Sequence, residues 1–503
     1  MVANELMNTT YQPVTPALAE ELGAIVGAAN VLYGDPVLMA DYGHDETAGL
    51  ERTFLPEVVV KPDSASQVAG IMLLANREHI PVTPRGAGSG LSGGAVPVHG
   101  GILLSLERMN RILEIDLANL VAVVEPGVVT NDIGEAVRPH GLFYAGYPMS
   151  VEMCFIGGNV AENAGGGRAV KYGVTGNHVL GLQVVLPTGD IIELGGKRVK
   201  DVSGYDLLHL MVGSEGTLGV FTRITLRLLP LPPAVAVLLV PFADVKAAMK
   251  AVPHAVARGQ ILPSAVEMMD SFSVRLAYEF IGEKPPHPEI GAMLLIEVDG
   301  YDRAGVEAQM NTLADLCLEA GALDVYVGNT PALIKKMWRP RQKVAEAFYA
   351  AYPEQLGEDI VVPMAQIPAL LAEVEQLSGR YQVRMPCFGH AADGNLHLHI
   401  MKEPEMSQDL WRARKPAVLA DLYRLVAGFG GAISGEHGIG MKRAPYLPLV
   451  MDPVQIALQR RIKQAFDPLY ILNPGKIFPD QLDDRDPGAI NAPDGNFAPG
   501  PNW

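Results

Sequence analysis

The densest chemistry in this chain lies in residues 389–399, Gly-His-Ala-Ala-Asp-Gly-Asn-Leu-His-Leu-His. Asp393, Gly394 and Asn395 are turn formers between two strand-like runs, and a hairpin there draws His390 towards His397. His397 and His399, two residues apart, share one face of a strand. Farther along, Glu436 and His437 sit between Gly435 and Gly438 on a turn able to close over the same place. Two imidazoles and a carboxylate make a donor set for Zn²⁺ or a similar divalent ion, with a position left open for substrate. The plainer alternative is a set of ordinary hydrogen-bonded strand histidines, the commoner role for any one taken singly. His254 is a looser, more distant member.

Glycine supplies a second signal. Residues 84–94 read Pro-Arg-Gly-Ala-Gly-Ser-Gly-Leu-Ser-Gly-Gly and contain a G-x-G-x-x-G at Gly88, Gly90 and Gly93. A Rossmann motif must open a helix, but Pro97 and two more glycines follow, and no P-loop lysine is present. What remains is small residues whose amides, with the Ser89 and Ser92 hydroxyls, can converge on an anion; a glycine-rich turn is the alternative. A second cluster runs over 148–167 and a third over 213–220, and Asn473-Pro474-Gly475 forms a further turn. Glycine is entropically costly and marks close backbone approach or positive φ. Each cluster alone is ordinary; together they describe backbone wrapped around a large ligand.

An anionic substrate needs a fixed cation, and residues 337–343, Met-Trp-Arg-Pro-Arg-Gln-Lys, offer three. The guanidinium of Arg341 suits a bidentate grip on a carboxylate. A solvated helix face is the alternative, and the better reading for Arg339.

These groups must be positioned by a chain of 503 residues, enough for two to four domains. Apolar residues make up 49% and charged residues 19%, a globular composition. With 39 Lys and Arg against 56 Asp and Glu, the net charge is −17, which argues against nucleic acid or an anionic membrane as main partner. Cys154, Cys317 and Cys387 are scattered and odd in number, as in a reducing compartment. The first residues lack a basic start and apolar stretch, and no apolar run approaches the length of a membrane span. The expected location is cytoplasmic, with peripheral membrane association left open.

Thr15-Pro16 predicts a helix start, running to about residue 26. Strands are expected around residues 57–61, 80–85, 101–106, 121–125 and 180–195, the last with a hairpin at Thr188-Gly189-Asp190. Residues 1–229 therefore read as one α+β unit, and Pro230, Pro232 and Pro233 mark a boundary. Residues 230–434 alternate as a split β-α-β sheet would, with helices on one face. Residues 435–479 are short and turn-rich, and 480–503, rich in Asp, Gly and Pro, read as a disordered tail.

With these motifs assembled, the chain resembles the FAD-dependent oxidoreductases of the vanillyl-alcohol oxidase type, closest to the D-2-hydroxyacid (D-lactate) dehydrogenases and the glycolate oxidase FAD subunit. The likeness runs from about residue 20 to 479. It implies an α+β fold with a two-part FAD-binding domain in 1–229, a ferredoxin-like cap in 230–434, and a segment 435–479 that returns to the FAD domain. It implies that Arg85, Gly86, Ala87, Gly88, Ser89, Gly90 and Ser92 hold the pyrophosphate. Pro148, Ser150, Gly157, Gly158, Asn163 and Gly165 would line the flavin, with Val220 and Asn473. The first loop has no histidine, so FAD is expected to be non-covalent. Carried over, His390, His397 and Glu436 are the metal ligands, zinc by donor type, and His437 is the proton acceptor. Arg341 matches the substrate-carboxylate arginine, and Asn395 and His399 fall beside the reaction centre. Ala392 replaces a glycine usual in the family, and His399 an asparagine of a related branch; both bear on substrate identity. The acidic Gly357-Glu358-Asp359 weighs against a dicarboxylic substrate.

The implied reaction is oxidation of a small D-2-hydroxy acid, D-lactate or glycolate, to the 2-oxo acid. No C-x-x-C cluster or haem motif names the acceptor, which is a quinone, a cytochrome, a flavoprotein or a partner subunit. A homodimer through the cap is expected. The rival readings are an FAD subunit of a multi-subunit glycolate oxidase that is inactive alone, and a metal-dependent hydrolase with merely structural glycines.

Overall fold

A computed structural model describes residues 10–48, 54–253 and 257–478; His254 and the 480–503 tail lie outside them. The first helix, Pro16–Val26, starts where expected, with the Thr15 side chain accepting from the Leu18 amide. The strands Val58–Val60, Ile102–Ser105 and Val82–Arg85 are parallel neighbours, with the short antiparallel Val31–Tyr33 at one edge. Val58–Val60 and Ile102–Leu104 read as unbroken apolar runs because both their faces are covered. The helix Ala65–Glu78 packs its apolar side on this sheet. A second, five-stranded antiparallel sheet spans Ile112–Asp116, Val121–Val124, Val220–Arg227, Val179–Val185 and Ile191–Gly195. The predicted hairpin joins the last two, with Gly189 at φ +86°. Ile471 and Leu472 pack in the core of the first sheet, and Leu472 bridges to Val82, so the C-terminal segment is built into this half.

The other half is a seven-stranded antiparallel sheet. Its first four strands, Ala234–Phe242, Ala265–Asp270, Ala292–Gly300 and Tyr326–Gly328, lie in the spatial order fourth, first, third, second. Helices Val245–Pro253 and Arg303–Glu319 make the crossovers, giving the expected split β-α-β unit. The remaining strands, Gln355–Val361, Cys387–His390 and Asn395–Met401, repeat that order with helices Ile367–Tyr381 and Gln408–Gly428, and a Val361–Ala432 bridge stands in for the fourth strand. The two units meet where Ala265–Asp270 pairs with Cys387–His390. Four helices bury one face of this sheet. The expectation of helices on one face only is corrected: Ser271–Phe280 and Pro331–Ala351 pack on the opposite face, through Val274, Val344 and Phe348.

Two ion-paired contacts fasten the halves together. Arg168 meets Glu297 at 2.9 Å, and Lys171 and Tyr172 both hold Asp299. Among the described residues no helix is long and apolar enough to cross a membrane, and the three cysteines are free and buried.

Candidate active site

The glycine clusters converge on one cavity of about 840 Å³ between the halves. Its walls carry Arg85, Gly86, Ala87, Gly88, Ser89 and Gly90 from the first cluster. Pro148, Ser150, Gly157, Gly158 and Gly165 come from the second, with Val220 and Asn473. Gly157 must be glycine because a methyl there would come 2.6 Å from the Pro126 Cβ. Gly88 has φ +74°, and a side chain on it would collide with the Arg85 guanidinium.

Arg85 lines the cavity, but its guanidinium is committed within the protein. Its buried side chain donates to the carbonyls of Asp41 and His44 beneath the loop, and burial pulls its pKa down. Two expected contacts stand behind the wall. Ser92 is fully buried, its carbonyl accepting from the Lys442 amide. Asn163 caps the helix Ile156–Glu162 at φ +54°, and its side chain accepts from the Gly176 amide. Asn473 is different: its amide donates to the Gly94 and Glu215 carbonyls, while Oδ1, buried on the wall, has no partner. That atom, with the glycine-cleared walls, fits a bound polar ligand of dinucleotide shape.

Opposite lies the histidine cluster. The hairpin at 393–395 forms, with Gly394 at φ +85°, and places His390 and His397 edge to face at 5.3 Å. Glu436 Oε1 is the hub: the Nε2 atoms of His397, His437 and His390 lie 3.3, 3.6 and 3.7 Å from it. His390 Nε2 is buried with no hydrogen-bond partner, the orphan expected of an imidazole aimed at a cation. His390 and Asn395 are not on the cavity wall; His397, His399, Glu436, His437 and Arg341 are.

Burial opposes a proton on His397, and with His390 and His437 beside it its pKa falls to about 3. Burial does the same to His399, whose Nδ1 meets Gln355 Oε1 at 2.6 Å and whose ring stacks on Phe388. Glu436 is held well below the usual carboxylate range: burial works against ionisation, and the surrounding histidines outweigh it.

Three carboxylates that the motifs did not single out organise this centre. Asp359 Oδ2 accepts from Ser434 Oγ and from the amides of Gly435, Glu436 and His437 at 2.8–2.9 Å, while Oδ1 accepts from Asn395 at 2.6 Å. Asn395 therefore serves Asp359, behind the cavity. The ligand atoms of Asp359, His397, Glu436 and His437 lie within 4.8 Å of one another, but Asp359 already spends its lone pairs on the loop. Glu215 takes the next amides of that loop, Ile439 and Gly440. Glu267 accepts from His390 Nδ1 at 2.7 Å and from Arg341 Nε at 2.6 Å. Burial alone would raise its pKa, but Arg341 and His390 hold it at about 2. An acid alone in the apolar run Ser-Ala-Val-Glu-Met-Met was the available signal, since buried carboxylates need partners.

The argument drawn from the acidic 357–359 stretch is corrected. Glu358 is met by Lys442, Arg443 and Tyr423, and Asp359 by the loop, so neither stands as an uncompensated charge facing a substrate.

Residues 56–195 match the family described as FAD binding domain, and residues 231–477 that described as FAD linked oxidases, C-terminal domain. The chain is 40% identical to a D-lactate dehydrogenase of Anaerostipes hadrus, over 93% of this chain and 98% of that protein. It is 37% identical to the glycolate oxidase subunit GlcD of Bacillus subtilis (strain 168), over 87% and 92%. In fold it is similar to a 4-ethylphenol oxidase from Gulosibacter chungangensis, with TM-score 0.73 at 21% identity, over 92% of this chain and 97% of that one.

Proposed function

This chain belongs to the FAD-linked oxidases, and from that premise we propose that it oxidises a small D-2-hydroxy acid, D-lactate or glycolate, to the 2-oxo acid. The acceptor of the electrons is a quinone, cytochrome, flavoprotein or partner subunit in place of NAD. One observation carries the reading: a glycine-walled cradle, the Glu436 hub with His397 and His437, and Arg341 all line one cavity, with His390 reaching Glu436 from behind. The name of the Anaerostipes hadrus relative supports the same substrate class. Membership of an oxidoreductase family removes the hydrolase alternative.

His390, His397 and Glu436 would hold a zinc-like ion, His390 through its orphan nitrogen, and the glycine clusters with Val220 and Asn473 would hold FAD. When bound, FAD supplies the acceptor for the hydrogen and electron pair of the α-carbon, and the ion a Lewis acid that makes a hydroxyl more acidic. Arg341, fixed through Nε and lying 4.7 Å over the Phe388 ring, turns to the substrate carboxylate and orients the α-carbon. His437 takes the hydroxyl proton. Its side chain is 21% exposed against 3% for His390 and 11% for His397, so it is the most exposed of the three and the best placed to pass the proton on. The walls of Phe388 and Tyr349 leave an apolar side for a small substituent.

An anaerobic absorption spectrum tests this. Flavin bands that bleach on adding D-lactate or glycolate, and less with L-lactate or D-2-hydroxyglutarate, are the expected result. Chelator should stop the bleaching without removing the bands. A colourless protein, or a yellow one that reacts equally without its metal, would overturn the reading. A second reading, an FAD subunit inactive alone, draws on the GlcD relative and predicts yellow protein bleached only with companion subunits present.

A further inference from the structure

Resting on that reading of the site, we propose that Glu267 is a positioning residue joining the metal-ligand histidine to the substrate-binding arginine through one carboxylate. Glu267 is 1% exposed in the middle of the strand Ala265–Asp270. It is the direct cross-strand partner of His390 at the junction of the two β-α-β units. Both oxygens are committed: Oε1 to His390 Nδ1 and Oε2 to Arg341 Nε.

An ionised carboxylate only accepts, so His390 must carry its hydrogen on Nδ1. That leaves Nε2 as the nitrogen turned to the Glu436 hub, where it has no hydrogen-bond partner and would serve as the ligand atom for a cation. A carboxylate behind a ligating imidazole fixes ring orientation and raises its basicity. On the other side, holding Arg341 by Nε leaves the terminal nitrogens of the fork for an incoming carboxylate. The glycine loop of the FAD-binding half seals the arrangement: a methyl on Gly167 would overlap Glu267 Oε1 and lie 3.6 Å from His390 Nδ1. Moving this one carboxylate would therefore disturb metal affinity and substrate grip together, although both of its oxygens are spent on His390 and Arg341.

The test uses the full-length flavoprotein with Glu267→Gln and Glu267→Asp. In the amide one polar atom becomes a donor facing a donor; the aspartate is too short to span both partners. Zinc affinity, read by chelator competition, should fall about 10- to 100-fold. KM for the hydroxy acid should rise about tenfold or more, with a smaller change in kcat and an unaltered flavin spectrum. Wild-type zinc affinity and KM in either folded variant would overturn the proposal. So would variants that both lose flavin along with fold, because that marks a packing role. A wild-type protein that binds no zinc and is bleached by no 2-hydroxy acid removes the functional reading and this assignment with it; a fully active wild type with indifferent variants removes the assignment alone.

Discussion

The imidazoles of His397 and His437 lie nearly parallel, 13° apart with centroids at 5.3 Å, and both present Nε2 to the same oxygen of Glu436. One ring belongs to a buried strand and the other to a loop pinned by Asp359. Their surroundings differ for that reason: burial keeps the strand histidine neutral, and the loop histidine is the more exposed ring.

His437→Ala should retain FAD and zinc and lose about 10²- to 10⁴-fold in kcat, the usual contribution of a general base. Stopped-flow flavin reduction reads this directly, and a wild-type rate would end the base assignment.

Arg341→Lys keeps the charge and gives up the fork. We expect kcat/KM to fall about 10- to 100-fold, chiefly through KM. Steady-state kinetics at fixed acceptor concentration measure it, and an unchanged KM would move the carboxylate site elsewhere in the cavity.

Asp359→Ala removes the acceptor for four donors of the 434–437 loop and one from Asn395. Loss of a buried, charge-assisted hub should cost about 3–5 kcal/mol in unfolding free energy. Turnover should collapse as His437 loses its place. Denaturant melts showing less than about 1 kcal/mol of change would refute the hub.

Acid should weaken the fold through His399. Its folded pKa lies near 3, below that of a free histidine, so above about pH 6.5 both states are neutral and its contribution is complete. As pH falls from there towards 3 the unfolded chain binds a proton that the folded one refuses, and stability drops by up to about 1.4 kcal/mol per unit. His399→Phe should be about 1 kcal/mol less stable at pH 7, with Gln355 Oε1 left unpartnered, yet show a shallower loss between pH 6.5 and 4.5. Parallel urea-melt slopes for the two proteins would contradict this.

Much of this was legible in residue order. Glycine clusters and a hairpin signal are local, so the cradle loops and the His390–His397 approach could be read from 84–94 and 389–399. The carboxylates were not, because Glu267, Glu215 and Asp359 act through partners up to 225 residues away. Asn163 and Asn395 show the converse. Polar residues in a ligand-binding loop are as readily spent on holding the loop, and sequence spacing does not say which way each side chain turns. The doubling of the cap sheet was hidden too, since its fourth strand has shrunk to one bridge at Ala432.

The loop from 434 to 440 is held by Asp359 of one half and Glu215 of the other, beside the Arg168–Glu297 and Lys171–Asp299 pairs. Swinging the cap away would strip partners from buried carboxylates on both sides at once. The two halves are thus tied to one another through the loop that carries Glu436 and His437. A disturbance of either anchor reaches Glu436 and His437 through the same short stretch of backbone, so these two side chains share the fate of the joint between the halves.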